Sequence, residues 1–182
     1  MSQNKSPSLL SRSWPLLLLL LLALGIRFYI FTVMHPIVHT DSVTFLFLSE
    51  LDMVRTPGYP GFIEAVLSLN DLFSASSDYL RSIVFVQLFV LGLLNVGFIY
   101  DISRFLTLSR GFAFVMGALY NFNFFVVGFE IQVMTETLAV TLLLGVVALY
   151  LRLFQGKRLW AALAGILMVL LIYTRATYLL LW

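Results

Sequence analysis

The fold is decided by the stretch WPLLLLLLLALGIRFYIFTVM, residues 14–34, in which seven consecutive leucines begin a long apolar run. A transmembrane helix needs about 20 predominantly apolar residues, so this segment is long enough to cross a membrane. The basic residues Lys5 and Arg12 before it, and a small-x-small pattern after the leucines, are also typical of a cleaved signal peptide. Because apolar residues continue to Met34 and further apolar segments follow, the sequence favours a retained membrane span.

The composition of the whole chain agrees with a membrane protein. Hydrophobic residues make up 61% of the 182 positions and charged residues only 11%, roughly half the charged content of a soluble domain. The net charge of +2 is small and no basic patch with interleaved aromatic residues occurs, so nucleic acid is not an expected partner. The sequence contains no cysteine, which leaves no disulfide framework, thiolate metal site or cysteine nucleophile.

Four more apolar segments follow, at about 79–100, 111–128, 131–151 and 159–173. Together with residues 14–34 they predict an all-α, polytopic transmembrane bundle of about five spans, with the start of a sixth at the carboxyl end. The chain stops at an apolar run without a polar flank, so we expect a truncated membrane module over residues 14–182, after a cytoplasmic tail over residues 1–13.

Charge is distributed unevenly between the connections. With a cytoplasmic amino terminus, the cytoplasmic side holds a set of basic residues: Lys5, Arg12, Arg104, Arg110, Arg152, Lys157 and Arg158. The positive-inside rule favours this orientation. The opposite side then receives the loop 35–78, which carries six carboxylates against the single basic residue Arg55. We expect a multi-pass protein of a bacterial inner membrane, in preference to an endoplasmic-reticulum membrane, with an acidic outer loop.

The outer loop is predicted to contain two amphipathic helices that lie in the membrane interface, at 42–53 and 62–73. In the second helix, Glu64, Ser68 and Asp71 recur on one face. The apolar residues Phe62, Val66, Leu69 and Phe73 recur on another face.

The segment RTPGYP, residues 55–60, connects these helices. Pro57 and Gly58 suit the central positions of a type II turn, and Pro60 is expected to keep Tyr59 out of the helical region. Such a turn would hold Arg55 and Tyr59 near the membrane surface. The alternative is a plain interfacial turn in which the tyrosine is only an anchor.

Four charged residues are expected in one leaflet: Asp41, Arg55, Glu136 and Arg175. Asp41 directly precedes the first outer helix and is either its N-cap or a functional carboxylate. Arg175 is about 24 Å from the cytoplasmic start of the last span, which brings it to the outer side. Guanidinium groups bind phosphate bidentately, so the group suggests a site for an anionic, lipid-linked ligand. The alternative is that Glu136 and Arg175 form an ion pair that only fixes helix packing.

Other polar positions admit simpler interpretations. Arg27 interrupts the first span and either reaches the outer interface or faces an internal polar cavity. Glu130 is expected at the outer boundary, in contact with water. His35 and His39 lie close to Asp41, but imidazoles at a membrane interface are usually ordinary surface residues, so neither is assigned as a metal ligand.

The sequence resembles the amino-terminal part of the GT-C membrane glycosyltransferases, especially the RgtA/B/C/D-like and protein-mannosyltransferase-like branch. The resemblance covers most of the chain and is carried by HTDSVTF at 39–45, RTPGYP at 55–60, TETL at 135–138 and the pair Thr174–Arg175. It implies transfer of a sugar from a polyprenyl-phosphate donor to a lipid, glycan or protein acceptor outside the cytoplasm, with inversion at the anomeric carbon.

The resemblance also implies roles for individual residues. Asp41 would be the catalytic base or would position a divalent ion such as Mg or Mn. Arg55 or Arg175 would bind the phosphate, with Tyr59 and Glu136 as further substrate-binding residues. Ser42 stands where many relatives have a second acid, which weakens the case for a metal. A non-enzymatic transporter fragment or scaffold, or an inactive truncated transferase, are the alternative functions.

Overall fold

The protein is all-α in the residues that the computed structural model describes, which are 9–39, 56–73, 78–154 and 158–176. The helices are α1 (Leu9–Val33), α2 (Gly58–Phe73), α3 (Tyr79–Thr107), α4 (Arg110–Asn121), α5 (Phe124–Glu130), α6 (Thr135–Leu153) and α7 (Arg158–Thr174). Helix α3 contains a π-helical segment, Gln87–Gly92. An isolated parallel β-bridge joins Ile37 to Gln132. The predicted all-α class is confirmed for these residues.

Within the described ranges, three helices are long and apolar enough to cross a membrane, namely α1, α3 and α6. The pair α4 and α5 passes the same test but is bent by 60° at its break, so the number of spans is three, or four if the bent pair is one span. Helix α7 is apolar, but its 17 residues are at the short limit of the length that crosses a membrane. The predicted count of about five spans is therefore not confirmed. The long apolar helices are compatible with the predicted integral membrane protein.

The predicted span at 111–128 is broken in the structure. Helix α4 ends at Asn121, and the side-chain oxygen of Asn123 accepts a hydrogen bond from the backbone N–H of Phe125 at 3.0 Å, which caps α5. Asparagine side chains that bond to nearby backbone groups compete with helix continuation. Hydropathy alone predicted a continuous span here, whereas Asn123 starts a new helix in a different direction.

The connection between α3 and α4 is a tight hairpin. Helix α3 ends at Thr107 and is capped by Leu108, whose φ of 57° is left-handed and whose N–H donates to the carbonyl of Arg104 at 2.9 Å. Helix α4 begins immediately afterwards, where the Ser109 hydroxyl accepts from the N–H of Phe112 at 3.3 Å. The hairpin makes α3 and α4 antiparallel neighbours.

Because the long helices alternate in direction, their termini meet at two ends of the bundle. At the first, which we call the loop end, α1 finishes and α3 begins, and the Arg81 guanidinium donates to the carbonyl of Phe31 at 3.4 Å and lies 4.7 Å from its ring centroid. Helix α6 starts and α7 finishes at the same end. At the opposite end, Arg152 of α6 forms an ion pair with Asp101 of α3.

The apolar core is divided into two clusters. The loop-end cluster consists of Tyr59, Ile63, Val66, Ile83, Val84, Leu88, Ile131 and Val133. The second cluster, nearer the opposite end, consists of Leu19, Ala23, Val96, Tyr100 and Ala113. Along both α1 and α3, a polar layer lies between the clusters, where Arg27 approaches the position of Gly92.

The segment predicted as a type II turn is the beginning of a helix. Helix α2 starts at Gly58, and Pro60 lies in its first turn. The first N–H groups of a helix have no intrahelical acceptor, so the missing N–H of proline is tolerated there. Tyr59 is therefore helical, and the prediction that Pro60 keeps it extended is wrong.

The predicted polar face of α2 is confirmed, since Glu64, Ser68 and Asp71 are exposed. Its packed face differs from the prediction. Tyr59, Ile63, Val66 and Asn70 are buried, at the spacing of one helical stripe, whereas Leu69, predicted on the apolar face, is 54% exposed. The predicted helix at 42–53 lies outside the described residues.

The missing side chain of Gly58 is predicted to allow the start of α2 to pack closely against the end of α7. A Cβ at this position would lie 2.6 Å from the backbone N of Thr174 and 2.7 Å from the carbonyl O of Tyr173. We expect Gly58→Ala to push α2 away from α7 and to lower the thermal unfolding temperature of the detergent-solubilised protein, at a cost of about 1–3 kcal/mol. Gly61→Ala is the matched control, because a Cβ there meets nothing within 4 Å and alanine favours the helix. Equal unfolding temperatures for the two variants would contradict this close seating.

Candidate functional site

The candidate site lies at the loop end, where the start of α2 meets the end of α7. The Thr56 hydroxyl donates to the carbonyl of Thr174 at 2.8 Å, and Gly58 lies against the backbone of the same turn. The N–H of Arg175 donates to the carbonyl of Leu171 at 2.9 Å, which continues the last turn of α7. Two of the motifs singled out in the sequence, Thr56–Pro60 and Thr174–Arg175, are thus in direct contact although 118 positions separate Thr56 from Thr174.

Glu136 and Arg175 form an ion pair at this end. The Nη1 of Arg175 donates to the Oε1 of Glu136 at 3.1 Å, with the two side chains 44% and 23% exposed respectively. Glu136 occupies the first turn of α6, where the helix dipole favours a carboxylate, and its Oε2 accepts from the hydroxyl of Thr135 at 3.3 Å. The carboxylate is thereby held in one orientation, while part of the guanidinium remains accessible.

Tyr59 supports this junction from inside. Its side chain is fully buried in the loop-end cluster and stacks on Phe62, with ring centroids 5.7 Å apart. Burial, and then the negative charge of Glu136, raise the pKa of the Tyr59 phenol above its ordinary value, while hydrogen bonding with Gln87 acts in the opposite direction. Tyr59 lies beneath the site as a neutral phenol and is not an exposed interfacial anchor.

The remaining predicted site residues, Asp41 and Arg55, lie outside the described residues. Among the residues that are described, no group of three or more His, Cys, Asp or Glu side chains could hold a metal ion. His35 and His39 are exposed.

A second polar site is buried between the two apolar clusters. The fully buried Arg27 donates from Nη2 to the Oε1 of Glu130 at 2.7 Å and from Nη1 to the Oδ1 of Asn121 at 2.6 Å. A weaker bond of 3.4 Å reaches the carbonyl of Ala23, one turn earlier in α1. Of the two interpretations of Arg27, the structure supports the internal one.

The prediction that Glu130 is in contact with water is wrong. Its side chain is 1% exposed and forms the ion pair with Arg27. The cause is the 60° bend between α4 and α5, which sends the chain in a new direction and puts Glu130 against α1.

Gly92, in the π-helical segment of α3, leaves the space that this ion pair occupies. A Cβ at Gly92 would lie 2.4 Å from the Nε of Arg27 and 2.8 Å from the Oε2 of Glu130. Any side chain at this position would therefore displace the pair. π-Helical segments inside α-helices are often found at functional sites, and here the segment presents its one glycine to two buried charges.

Glu130 and Asn121 were not predicted from the sequence to be members of a buried site. A signal was present, because an arginine inside an apolar span needs an acceptor, and Asn121 and Glu130 are polar groups of the neighbouring apolar segments. The pairing itself could not be read from the sequence, since the residues are separated by 94 and 103 positions from Arg27.

Comparisons with models of known families, with curated proteins and with solved structures found no match to this chain.

The buried ion pair predicts a strongly non-additive mutational pattern. Removing one partner leaves an uncompensated buried charge, which typically costs about 3–5 kcal/mol, whereas replacing both partners by apolar groups is often close to neutral. We expect Arg27→Leu and Glu130→Leu each to lower the thermal unfolding temperature in detergent markedly, and the double variant to be more stable than either single variant. If the losses from the two single variants simply add, the pair does not act as a unit.

The raised pKa of the buried Tyr59 phenol predicts a loss of stability at alkaline pH. Since its pKa is raised in the folded protein, its contribution to stability is complete below the unfolded-state pKa of about 10 and falls as the pH rises above that value. We expect Tyr59→Phe to reduce the fall in unfolding temperature between roughly pH 9 and pH 11. Tyr79→Phe, which removes an exposed phenol at the same end, is the control. An identical alkaline profile for wild type and Tyr59→Phe would be evidence against burial of this phenol.

Proposed function

We propose that this chain is the membrane module of a GT-C glycosyltransferase, which transfers a sugar from a polyprenyl-phosphate donor to an acceptor hydroxyl on the non-cytoplasmic side. The observation that carries the proposal is the convergence at the loop end. Segments around Thr56, Glu136 and Arg175 meet there through the 2.8 Å bond to Thr174 and the 3.1 Å ion pair. These are three of the four segments on which the resemblance rests, and they lie far apart in the sequence.

The geometry suits recognition of a lipid-linked phosphate. Arg175 remains 44% exposed beside Glu136, so its guanidinium retains N–H groups that can bind phosphate oxygens at the membrane surface. Glu136 would orient that guanidinium and keep it from turning away into water. In this proposal Arg175 stabilises the negative charge that the departing polyprenyl phosphate acquires.

Asp41 and Arg55, which lie outside the described residues, are assigned to the proposed site by the resemblance. Arg55 immediately precedes Thr56, which is bonded to the end of α7. Asp41 is four positions beyond Ile37, which is bridged to Gln132 just before α6. In the proposal, Asp41 and Arg55 act together with the Glu136–Arg175 pair.

The proposed reaction is a single displacement. The Asp41 carboxylate takes the proton of the acceptor hydroxyl, whose oxygen forms a bond to the anomeric carbon of the donor sugar. The bond from that carbon to the phosphate oxygen breaks, and polyprenyl phosphate leaves with the bonding electrons. Attack from the face opposite the leaving phosphate inverts the anomeric configuration.

Sugar transfer by membranes that contain the protein tests this proposal. With a radiolabelled polyprenyl-phosphate sugar, we expect Asp41→Asn to lower the rate by at least about 10²-fold, the usual contribution of a general base. Arg175→Gln should weaken donor use, seen as a higher KM for the donor. Asp71→Asn is the matched control, because Asp71 is a carboxylate on the exposed face of α2.

If the Asp41→Asn variant kept full activity, Asp41 would not be the catalytic base. Absence of transfer by the wild-type chain with every polyprenyl-phosphate sugar offered would argue against the enzyme.

A non-enzymatic membrane protein, such as a transporter fragment or scaffold, is the second candidate. It is favoured by the buried Arg27–Glu130 pair, because charged residues inside a membrane often mark an ion or substrate pathway. In the described part of the chain, the Nε of Arg27, the Oε2 of Glu130 and the Nδ2 of Asn121 have no protein partner, which leaves hydrogen-bonding capacity for water or a small polar solute. Loss of solute uptake in Glu130→Gln, with sugar transfer absent throughout, would favour this candidate.

A further inference from the structure

A groove of about 700 Å³ runs between α1 and α3 at the opposite end of the bundle from the candidate site. Its walls are leucines of α1 and apolar residues of α3, including Leu17, Leu21, Val90 and Leu94. These four side chains are exposed to the surroundings of the helices. The groove is thus an apolar channel that is open along one side.

The groove ends in a charged mouth. Asp101 and Arg104 of α3 and Arg152 of α6 line this end. Arg152 is paired with Asp101 and its guanidinium lies 5.3 Å from the ring centroid of Trp160. The Arg104 side chain is exposed, and no hydrogen bond or ion pair joins its guanidinium to another described residue. Two arginines against one aspartate leave the mouth with a net positive charge.

We propose that this groove binds one anionic glycerophospholipid of the surrounding membrane, with an acyl chain between α1 and α3 and the phosphate at Arg104 and Arg152. Charge complementarity selects an anionic headgroup over a neutral one, because basic pockets between transmembrane helices bind the headgroups of acidic lipids. The apolar walls select a lipid over a soluble phosphate.

The length of the groove agrees with this occupant. From Val90 to Arg104 the α3 axis rises about 20 Å, and one leaflet contributes half of the ~30 Å hydrocarbon core. An acyl chain that follows α3 from a headgroup at Arg104 would therefore occupy the groove along most of its length.

The lipid site is independent of the proposed transferase site. Arg152 is 16 residues from Glu136 along α6, which corresponds to about 24 Å. A lipid at the charged mouth would sit in the other leaflet from a donor held at Glu136 and Arg175. Helices α1, α3 and α6 all contribute to the groove, so we expect the bound lipid to stabilise their packing.

Native mass spectrometry of the detergent-purified chain provides the test. The probes are dioleoyl phosphatidylglycerol, dioleoyl phosphatidylcholine with the same acyl chains, and inorganic phosphate. We expect one phosphatidylglycerol to be retained in preference to phosphatidylcholine. Arg104→Gln should weaken phosphatidylglycerol binding by about tenfold, as expected for the loss of one charge-assisted contact. Arg110→Gln, at the same end but outside the groove lining, should leave binding unchanged.

A second variant tests the acyl channel itself. Gly97 lines the groove, and a Cβ there meets nothing within 4 Å, so Gly97→Leu should fill the channel without disturbing the helices. We expect this variant to lose both phospholipids, while Gly165→Leu, at another open glycine of the bundle, retains them. Unfolding temperatures measured in lipid-free detergent show whether each variant is folded.

Three outcomes would overturn the proposal. If Arg104→Gln binds phosphatidylglycerol as tightly as Arg110→Gln does, the mouth has no role in headgroup selection. If folded Gly97→Leu retains phosphatidylglycerol, the acyl chain lies elsewhere. If inorganic phosphate displaces phosphatidylglycerol at similar concentrations, the site recognises free phosphate without the groove.

Discussion

The buried ion pair between Arg27 and Glu130 is the constraint around which the described helices are arranged. An arginine in the middle of an apolar helix is stable only if its charge is compensated, because each unpaired buried ion costs several kcal/mol. The partner comes from α5, and it reaches α1 because the chain bends by 60° after α4. Gly92, in the π-helical segment of α3, leaves space for both charges. The pair therefore links α1, α3 and α5, and Asn121 adds the end of α4.

The same polar layer separates two parts of the bundle that differ in their packing. Toward the loop end, the cluster around Tyr59 seats α2 against α7 and brings Thr56 to Thr174. Toward the opposite end, the smaller side chains of Ala23 and Ala113 belong to a second cluster, and the apolar groove opens beside it with arginines at its mouth. The proposed transferase site and the proposed lipid site therefore lie on opposite sides of this charged layer.

The sequence predicted the helical class and the positions of the long apolar helices because these follow from local hydrophobicity and from the length needed to cross a membrane. It also predicted that Glu136 and Arg175 belong to the same end, because span direction follows from helix order. It failed where side chains act on the backbone or on distant segments. Asn123 divides a predicted span by capping α5, and Pro60 is accommodated in the first turn of α2. Hydropathy values describe neither the capping by Asn123 nor the tolerance of Pro60 in a first helical turn.

Composition and periodicity thus determined by themselves that the chain forms apolar helices with an acidic loop and that Arg27 is an unusual residue in a span. Only the tertiary structure decided that Arg27 turns inward, that Glu130 is its partner, and that Tyr59 is buried beneath the Glu136–Arg175 pair. The physical reason is the range of the interactions involved. Helix formation and membrane crossing depend on neighbours within a few turns, whereas the ion pairs join residues separated by 39 to 103 positions. Their geometry is set by the bend between α4 and α5 and by the seating of α2 on α7.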